Sequence, residues 1–571
     1  MFLRFRHRLM QVSVVVSLLA GSWTLALVLT GGLAFQLGSL LLSSRHALNP
    51  AILAVLSAVA AFKLATRDEQ RREWPSLVSS TIAVGAVVAI VWFGLSKGLF
   101  VAAASDAYGY VSQADLWAHG DVIVQQPWAR EMTWPNAANA LAPLGYRPHR
   151  PAAHGTDIVP IYAPGVPILM AAFKLVGGAR AVYYVVPLLG GLAVWITFLM
   201  GRRLAGPFVG AAAAVLLATS PTFLFEVTAP ASDVAATFWW TLALFALMVD
   251  SRSAALGAGA ATGMAILTRP NVAPLALVLA APAIVRIIRA SSAQDRRHSM
   301  MVLLWFAAGS LPACALIGLL NRELYGSPLS SGYGSLADLY AWSHAWTNVA
   351  HYLRWLIETQ TIVVVFALAA PFVVPRATAL LWLGSIVAIF GLYLFYLPFD
   401  DWWYLRFLMP MFPALFVLTT VVLLRVVTAG RVLLATVIVT ALAWHGVSLA
   451  ADRGASQVWE AEQRYAEAGA YVAAALPARA ALLSMQHSGS ARFYSGRITV
   501  RYDFIGRNDL DRVLDDLKRL GYQPFFLLDV AEEADFRSRF SGGSSLGALD
   551  WAPKTTIHRG SVRIYDPSDR P

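Results

Sequence analysis

Apolar runs recur along this chain from about residue 10 to about residue 450, and they leave few folds open. They fall near 10–42, 50–65, 77–100, 180–200, 207–224, 233–249, 254–268, 271–288, 300–320, 361–375, 378–397, 407–424 and 432–450. A helix needs about 20 apolar residues to cross a bilayer, so the longer runs read as spans. The shorter ones read as tilted, partial or bundle-buried helices. The expected fold is a polytopic α-helical membrane protein with about thirteen transmembrane helices. Composition agrees: 58% of residues are hydrophobic and 13% charged, against about 25% charged in a soluble domain. The start, "MFLRFRHRLMQVSVVVSLLAGSW", resembles a signal peptide. Its apolar part runs on to about Leu42 with no clear cleavage site, so it reads as a retained first span.

Basic residues orient the spans. With Arg4, Arg6 and Arg8 placed inside, the short inside loops hold Lys63, Arg67, Arg71 and Arg72, then Arg202 and Arg203, then Arg252. Arg286, Arg289, Arg296 and Arg297 follow, then Arg376, then Arg425 and Arg431. Lys and Arg collect on the cytoplasmic side of membrane proteins, so the N-terminus is expected there. The large loops 101–179 and 321–360, the short 225–232 and 398–406, and the C-terminal tail then face outward. This distribution also accounts for the net charge of +11 without a nucleic-acid partner. The single cysteine, Cys314, rules out an intramolecular disulfide and argues against a Cys/His metal cluster.

The transmembrane domain is expected over 1–452 and a small outer α/β domain over 453–571. There "WEAEQRYAEAGAYVAAAL" reads as an amphipathic helix and "ALLSM", "ITVRY", "PFFLLDV" and "SVRIYD" as short strands. "NDLDRVLDDLKRLGY" reads as a helix capped by Asn508 and closed by Gly521. The segment has no glycine-rich phosphate loop and suits acceptor recognition or structural cover.

Polar residues able to carry chemistry cluster at the outer loops. In "SDAYGYVSQADLWAHGDV", Asp106, Tyr110, Gln113 and Trp117 share one helix face and Asp115 the opposite one. Locally, Ser105 and Asp106 read as a helix N-cap. A carboxylate on a packed face must also be paired, protonated or used. "SPTFLFEVTAPASDVAATFWW" sets Glu226, Ser232 and Asp233 at an outer turn, where Ser232 or Asp233 would again serve as a cap. Two such carboxylates could bind and deprotonate a hydroxyl or amine. In "YLPFDDWWYLRFLMP", Arg406 stands at the mouth of a span, snorkelling to headgroups or holding a lipid phosphate, with Asp400 and Asp401 to orient it. Arg269 in "ILTRPNV" interrupts apolar sequence and should face a polar interior. Arg147, His149, Arg150 and His154 add charge to the first large loop; His149 and Arg150 read as ordinary loop residues.

Taken in order, "SDAYGYVSQADLWAHGD", "VPIYAPGVPILMA", "SPTFLFEVTAPASDVAATFWW", "GMAILTRPN", "NRELYGSPLSSGYGS" and "DDWWYLRFLMPMFPAL" resemble the GT-C membrane glycosyltransferases over roughly 80–455. The branch they resemble is bacterial, akin to protein O-mannosyltransferases and the lipid A aminoarabinose transferase. The resemblance implies a sugar donor on polyprenyl phosphate, an outer-side lipid, glycan or protein acceptor, inversion at the anomeric carbon, a bacterial inner-membrane location, and no cofactor or metal. By it, Asp106 and Asp233 are the catalytic acids, and Arg406 and Arg269 hold the donor phosphate. Tyr110, Arg147, Glu226, Tyr333, Asp401 and Tyr404 are the further substrate-contacting candidates. Protein O-mannosyltransferases carry adjacent acids in this first loop, whereas Ala107 follows Asp106 here. A transporter or flippase, an O-antigen polymerase or ligase, and a catalytically dead scaffold remain the alternatives. The polar residues gather at the outer surface rather than the bilayer midplane, and the two halves show no similarity, both against a transporter.

Overall fold

The structure is a computed structural model that describes residues 5–6, 8–10, 12–17, 20–21, 24, 33–37, 40–44, 48–64, 74–132, 134–149, 156–426 and 431–570. Arg4, Arg67, Arg71, Arg72, Arg150 and His154 lie outside the described residues. The chain divides into two compact units. One comprises Met1–Gly98, Val186–Ala313 and Leu339–Ser456, and the other Leu99–Val185, Cys314–Asp338 and Gln457–Pro571.

The first unit is helical and built for a bilayer. Seven helices among the described residues are long and apolar enough to cross one: Trp74–Ser96, Ala179–Ala205, Pro270–Arg289, Ala293–Tyr325, Arg376–Leu394, Trp402–Arg425 and Leu433–Asp452. Trp342–Gln360 and Ile362–Phe372 make an eighth if taken as one span bent by 94°. The bend is at Thr361, whose φ of +63° is a left-handed conformation that ends a helix. Shorter apolar helices, such as Pro207–Ala218, Ser232–Ala246 and Arg252–Thr268, fill the runs that looked short in the sequence. The apolar stretch of Trp402–Arg425 is almost wholly buried in the protein, whereas that of Ala293–Tyr325 is mostly uncovered by it. Without a hydrophobic force between helices in lipid, small residues set the close crossings. Gly259 and Gly309 do so where two helices meet: a Cβ on Gly259 would lie 2.8 Å from the Phe306 carbonyl carbon, and one on Gly309 2.8 Å from the Ala260 nitrogen.

The expected first span over 10–42 differs. Its described start is helical, but β1 (Leu33–Leu37) pairs antiparallel with β2 (Leu40–Ser44). Gly31 and Gly32 stand just before β1, and consecutive glycines are among the poorest helix formers.

The second unit holds the helix Asp106–Ala118 and the antiparallel pair β3 (Tyr146–Pro148) and β4 (Ile158–Pro160). Its five-stranded sheet is formed by β5 (Ala480–Leu483), β6 (Ile498–Val500), β7 (Gln523–Asp529), β8 (Thr555–Ile557) and β9 (Val562–Tyr565) in the order β6-β5-β7-β9-β8. The strand runs quoted from the sequence therefore form one sheet. The helix read at 508–521 spans Leu510–Arg519, with Gly521 following at φ +77°. Its N-cap is Asp509 rather than Asn508. One core joins residues 129–141 to this sheet: Trp134 and Leu141 pack with Leu483, Val500, Tyr502 and Phe526.

Candidate active site

In the second unit, Asp106 opens its helix half-buried. Ser105 is the N-cap but makes no side-chain cap bond; its hydroxyl meets the Tyr162 hydroxyl at 2.7 Å. The Tyr162 hydroxyl also donates to Asp106 Oδ1 at 2.7 Å. Tyr162 reaches this position because Gly109, three residues past Asp106, leaves room for its ring, whose Cζ would stand 3.4 Å from a Cβ there. Burial first, and then the charge of Asp106, push the Tyr162 phenol well above its ordinary value. It therefore remains a protonated donor to the carboxylate. Ala104, just ahead, has φ +46°, a conformation that costs a non-glycine residue roughly 1 kcal/mol. Such strain persists only where the surroundings hold the chain in place.

Of the expected helix face, Tyr110 and Gln113 are buried and Asp106 and Trp117 half-buried, but burial extends all round the helix from Ala107 to Ala114. Tyr110 is buried with its ring 4.7 Å from that of Tyr162, and Gln113 is buried, its Nε2 3.4 Å from the Tyr162 carbonyl. Asp115, on the other face, pairs with Lys174. Tyr333 meets Tyr162 edge-on at 5.9 Å. Arg147 donates to the carbonyls of Ser331 at 3.3 Å and Gly332 at 3.2 Å, which fixes the 331–334 turn beside Tyr333. His149 contacts the Glu323 carbonyl at 3.1 Å, as an ordinary loop polar does.

In the first unit a second polar cluster forms at one end of a helical hairpin. Ser232–Ala246 runs out and Arg252–Thr268 runs back, the latter capped by Ser251, whose hydroxyl accepts from the Ala254 amide at 3.1 Å. Two helices of similar length bring Asp233, near the start of one, beside Arg269, just past the end of the other. The two form a buried ion pair, and Arg269 also donates to Ser232 Oγ at 3.2 Å. The cap expected of Ser232 or Asp233 is not made; Ala231 is the N-cap, without a side-chain bond. Pro270 breaks the helix as expected and leads into a 3₁₀ turn, Pro270–Val272.

Glu226 is buried at the end of the short helix Pro221–Glu226 and faces Arg406 at 3.8 Å. Arg406 and Arg269 each lie 5.6 Å from the centre of the Phe407 ring, and Arg406 lies 5.2 Å from that of Tyr404. Two guanidiniums, each facing a buried carboxylate, thus lie by one aromatic side chain. Asp400 and Asp401 are exposed, and it is Glu226 that pairs with Arg406. Asp401 instead starts the 3₁₀ stretch Trp402–Met411, its carbonyl accepting the Tyr404 amide at 3.1 Å.

Sequence reasoning missed Tyr162 and Phe407. Both stood in view, in "VPIYAPGVP" and "YLRFLMP", but an aromatic near a membrane surface gives no sign by itself of which charged group it will meet. Among the described residues no group of three or more His, Cys, Asp or Glu is placed to hold a metal.

Residues 162–317 match the family model of dolichyl-phosphate-mannose-protein mannosyltransferase. The structure of ArnT from Cupriavidus metallidurans bound to undecaprenyl phosphate is similar at TM-score 0.55 and 14% identity, over 86% of this chain and 98% of that one. The archaeal oligosaccharyltransferase AglB from Archaeoglobus fulgidus, in complex with an inhibitory peptide and a dolichol-phosphate, is similar at TM-score 0.54 and 11% identity, over 88% and 75%. No curated protein matches the chain in sequence. The likeness to these structures gives the fold, that of the GT-C membrane glycosyltransferases, and the family model covers residues 162–317 of this chain.

Proposed function

We propose that this chain transfers a sugar from a polyprenyl-phosphate donor to a hydroxyl or amine acceptor, with inversion. The observation that carries the reading is the pair of guanidiniums, Arg269 and Arg406, gathered on Phe407 and held by Asp233 and Glu226. Guanidinium groups match phosphate oxygens in shape and charge, and here they are fixed in advance. The relatives support the lipid phosphate, since ArnT carries undecaprenyl phosphate and AglB a dolichol-phosphate.

In this mechanism the acceptor heteroatom attacks the anomeric carbon while the bond from that carbon to the phosphate oxygen breaks. Polyprenyl phosphate leaves, and Arg269 and Arg406 stabilise the charge that develops on it. Asp106 takes the acceptor proton, with Tyr162 fixing the direction of its carboxylate. Asp233 acts as a positioning residue: its charge is engaged by Arg269, so it holds that guanidinium in place. Tyr333 and Tyr404 supply aromatic surface for sugar or acceptor, while Tyr110, buried against the Tyr162 ring, acts through it. Arg147 serves through the 331–334 turn, and no metal takes part. The location is a bacterial inner membrane with the N-terminus cytoplasmic and Gln457–Pro571 outside, a reading supported by the Lys and Arg distribution.

The test is Asp106→Asn in purified protein supplied with polyprenyl-phosphate sugars and an envelope extract as acceptor. Loss of a general base lowers kcat by about 10²–10⁴. Transfer by this variant at the wild-type rate would overturn the role of Asp106, and a wild-type protein that binds no such donor would overturn the reading as a whole.

A further inference from the structure

We propose that the helix Ser488–Ser495, from the C-terminal part of the chain, is a positioning element for Asp106, with Gly489 and Tyr494 as positioning residues. This rests on the catalytic reading of Asp106. The segment after residue 456 looks from sequence like a separate appendage, yet it packs directly on the helix that Asp106 opens. Tyr108, two residues past Asp106, is buried with its ring against Gly489, where a Cβ would stand 2.7 Å from the ring Cγ and closer still to other ring carbons. Phe493 meets the same ring edge-on at 6.4 Å, and Tyr146 lies 5.7 Å away. Glycine is therefore the residue at 489 that lets this ring, and with it the first turn of the Asp106 helix, sit where it does.

One further contact acts just ahead of the same turn, and another on the loop at residues 144–145 that lies beside it. The Tyr494 hydroxyl accepts the Ala102 amide at 2.7 Å, four residues before Asp106 and just ahead of the strained Ala104. Ser488 Oγ accepts the Leu144 amide at 3.1 Å. Arg492 anchors the helix itself, donating to Gln126 Oε1 at 2.7 Å and to the Leu141 carbonyl at 3.0 Å. Burial pushes the Tyr108 phenol up to about 12, with Arg492 drawing it partly back, so the ring is a neutral wedge at physiological pH. A wedge locked between a glycine and an aromatic pair transmits displacement rather than absorbing it, because packed interiors have few voids to yield.

The test is a double-mutant cycle in the full-length protein. Gly489→Val should lower kcat at least about tenfold, with KM for the lipid donor shifted less than about threefold, since misplacing a reacting group by a fraction of an ångström costs rate rather than binding. In a Tyr108→Ala background the same change should cost less than about twofold, because the ring it strikes is gone. Equal cost in both backgrounds, or no cost in either, overturns the proposal. Tyr494→Phe removes the hydroxyl's hydrogen bonds to the Ala102 amide and to Tyr183 without altering packing volume, and should speed amide exchange at 102–109 and lower kcat about threefold. Unchanged exchange and rate there overturn it as well. If the wild-type protein transfers no sugar, the functional reading fails by itself. The exchange cycle at 102–109 still decides the positioning: faster in Gly489→Val and normal in the double variant if it holds, unaffected throughout if it does not.

Discussion

Asp106 and Asp233 look alike in sequence, each an acid at the start of a helix beside aromatic residues, and the structure treats them differently. Asp233 is buried against a guanidinium, with Ser232 on the same arginine. Asp106 is half-buried and receives a neutral phenol. A carboxylate held against a guanidinium is a good anchor for it. The proposed mechanism gives holding to one acid and proton transfer to the other, although spacing and context made them equals.

The sharpest way to break this contrast is stability. Asp233→Ala leaves Arg269 buried without its charge partner and should destabilise the protein by about 3–5 kcal/mol. Asp106→Ala should cost only about 1 kcal/mol, since Ser105 still bonds the Tyr162 hydroxyl. Thermal unfolding in detergent measures both, and equal losses would remove the distinction. Next in size is the donor: Arg406→Lys and Arg269→Lys keep the charge but lose the planar fork, and KM for the polyprenyl-phosphate sugar should rise roughly 10-fold or more. A KM that stays put in both variants would detach this cluster from the phosphate. Tyr162→Phe should then lower kcat about tenfold by removing one hydrogen bond to a charged group, with stability little changed. A rate that survives intact would mean that Asp106 does not depend on the phenol. The smallest effect is expected of chelation: EDTA leaves the rate unchanged if phosphate charge is met by arginine alone. Inactivation reversed by a divalent cation would show that the arginines do not suffice.

Much of the fold was legible because membrane helices must satisfy every backbone group internally, so long apolar runs have little choice. The runs at 77–100, 378–397 and 407–424 all became helices within a few residues of expectation. The 10–42 run was misread because apolarity alone does not separate helix from strand. Within the site, the burial of Tyr110 and Gln113 followed from helical periodicity, whereas Asp115, expected to face outward, is half-buried like Asp106 and pairs with Lys174. The pairing of Arg406 did not. The adjacent Asp400 and Asp401 were the obvious partners, but they are exposed, and a glutamate 180 residues earlier takes the role.

What the sequence determined by itself was the class of fold, the hairpin that brings residues 233 and 269 to the same end, and the residue types able to bind phosphate and accept a proton. These depend on period and polarity, which are local properties. Only the tertiary structure decided which acid meets a guanidinium and which a phenol, that Arg269 and Arg406 gather on Phe407, and that residues 488–495 pack on the helix bearing Asp106. Those outcomes depend on contacts between segments up to about 390 residues apart. Such contacts are selected by the packing of a whole core, which no local pattern records.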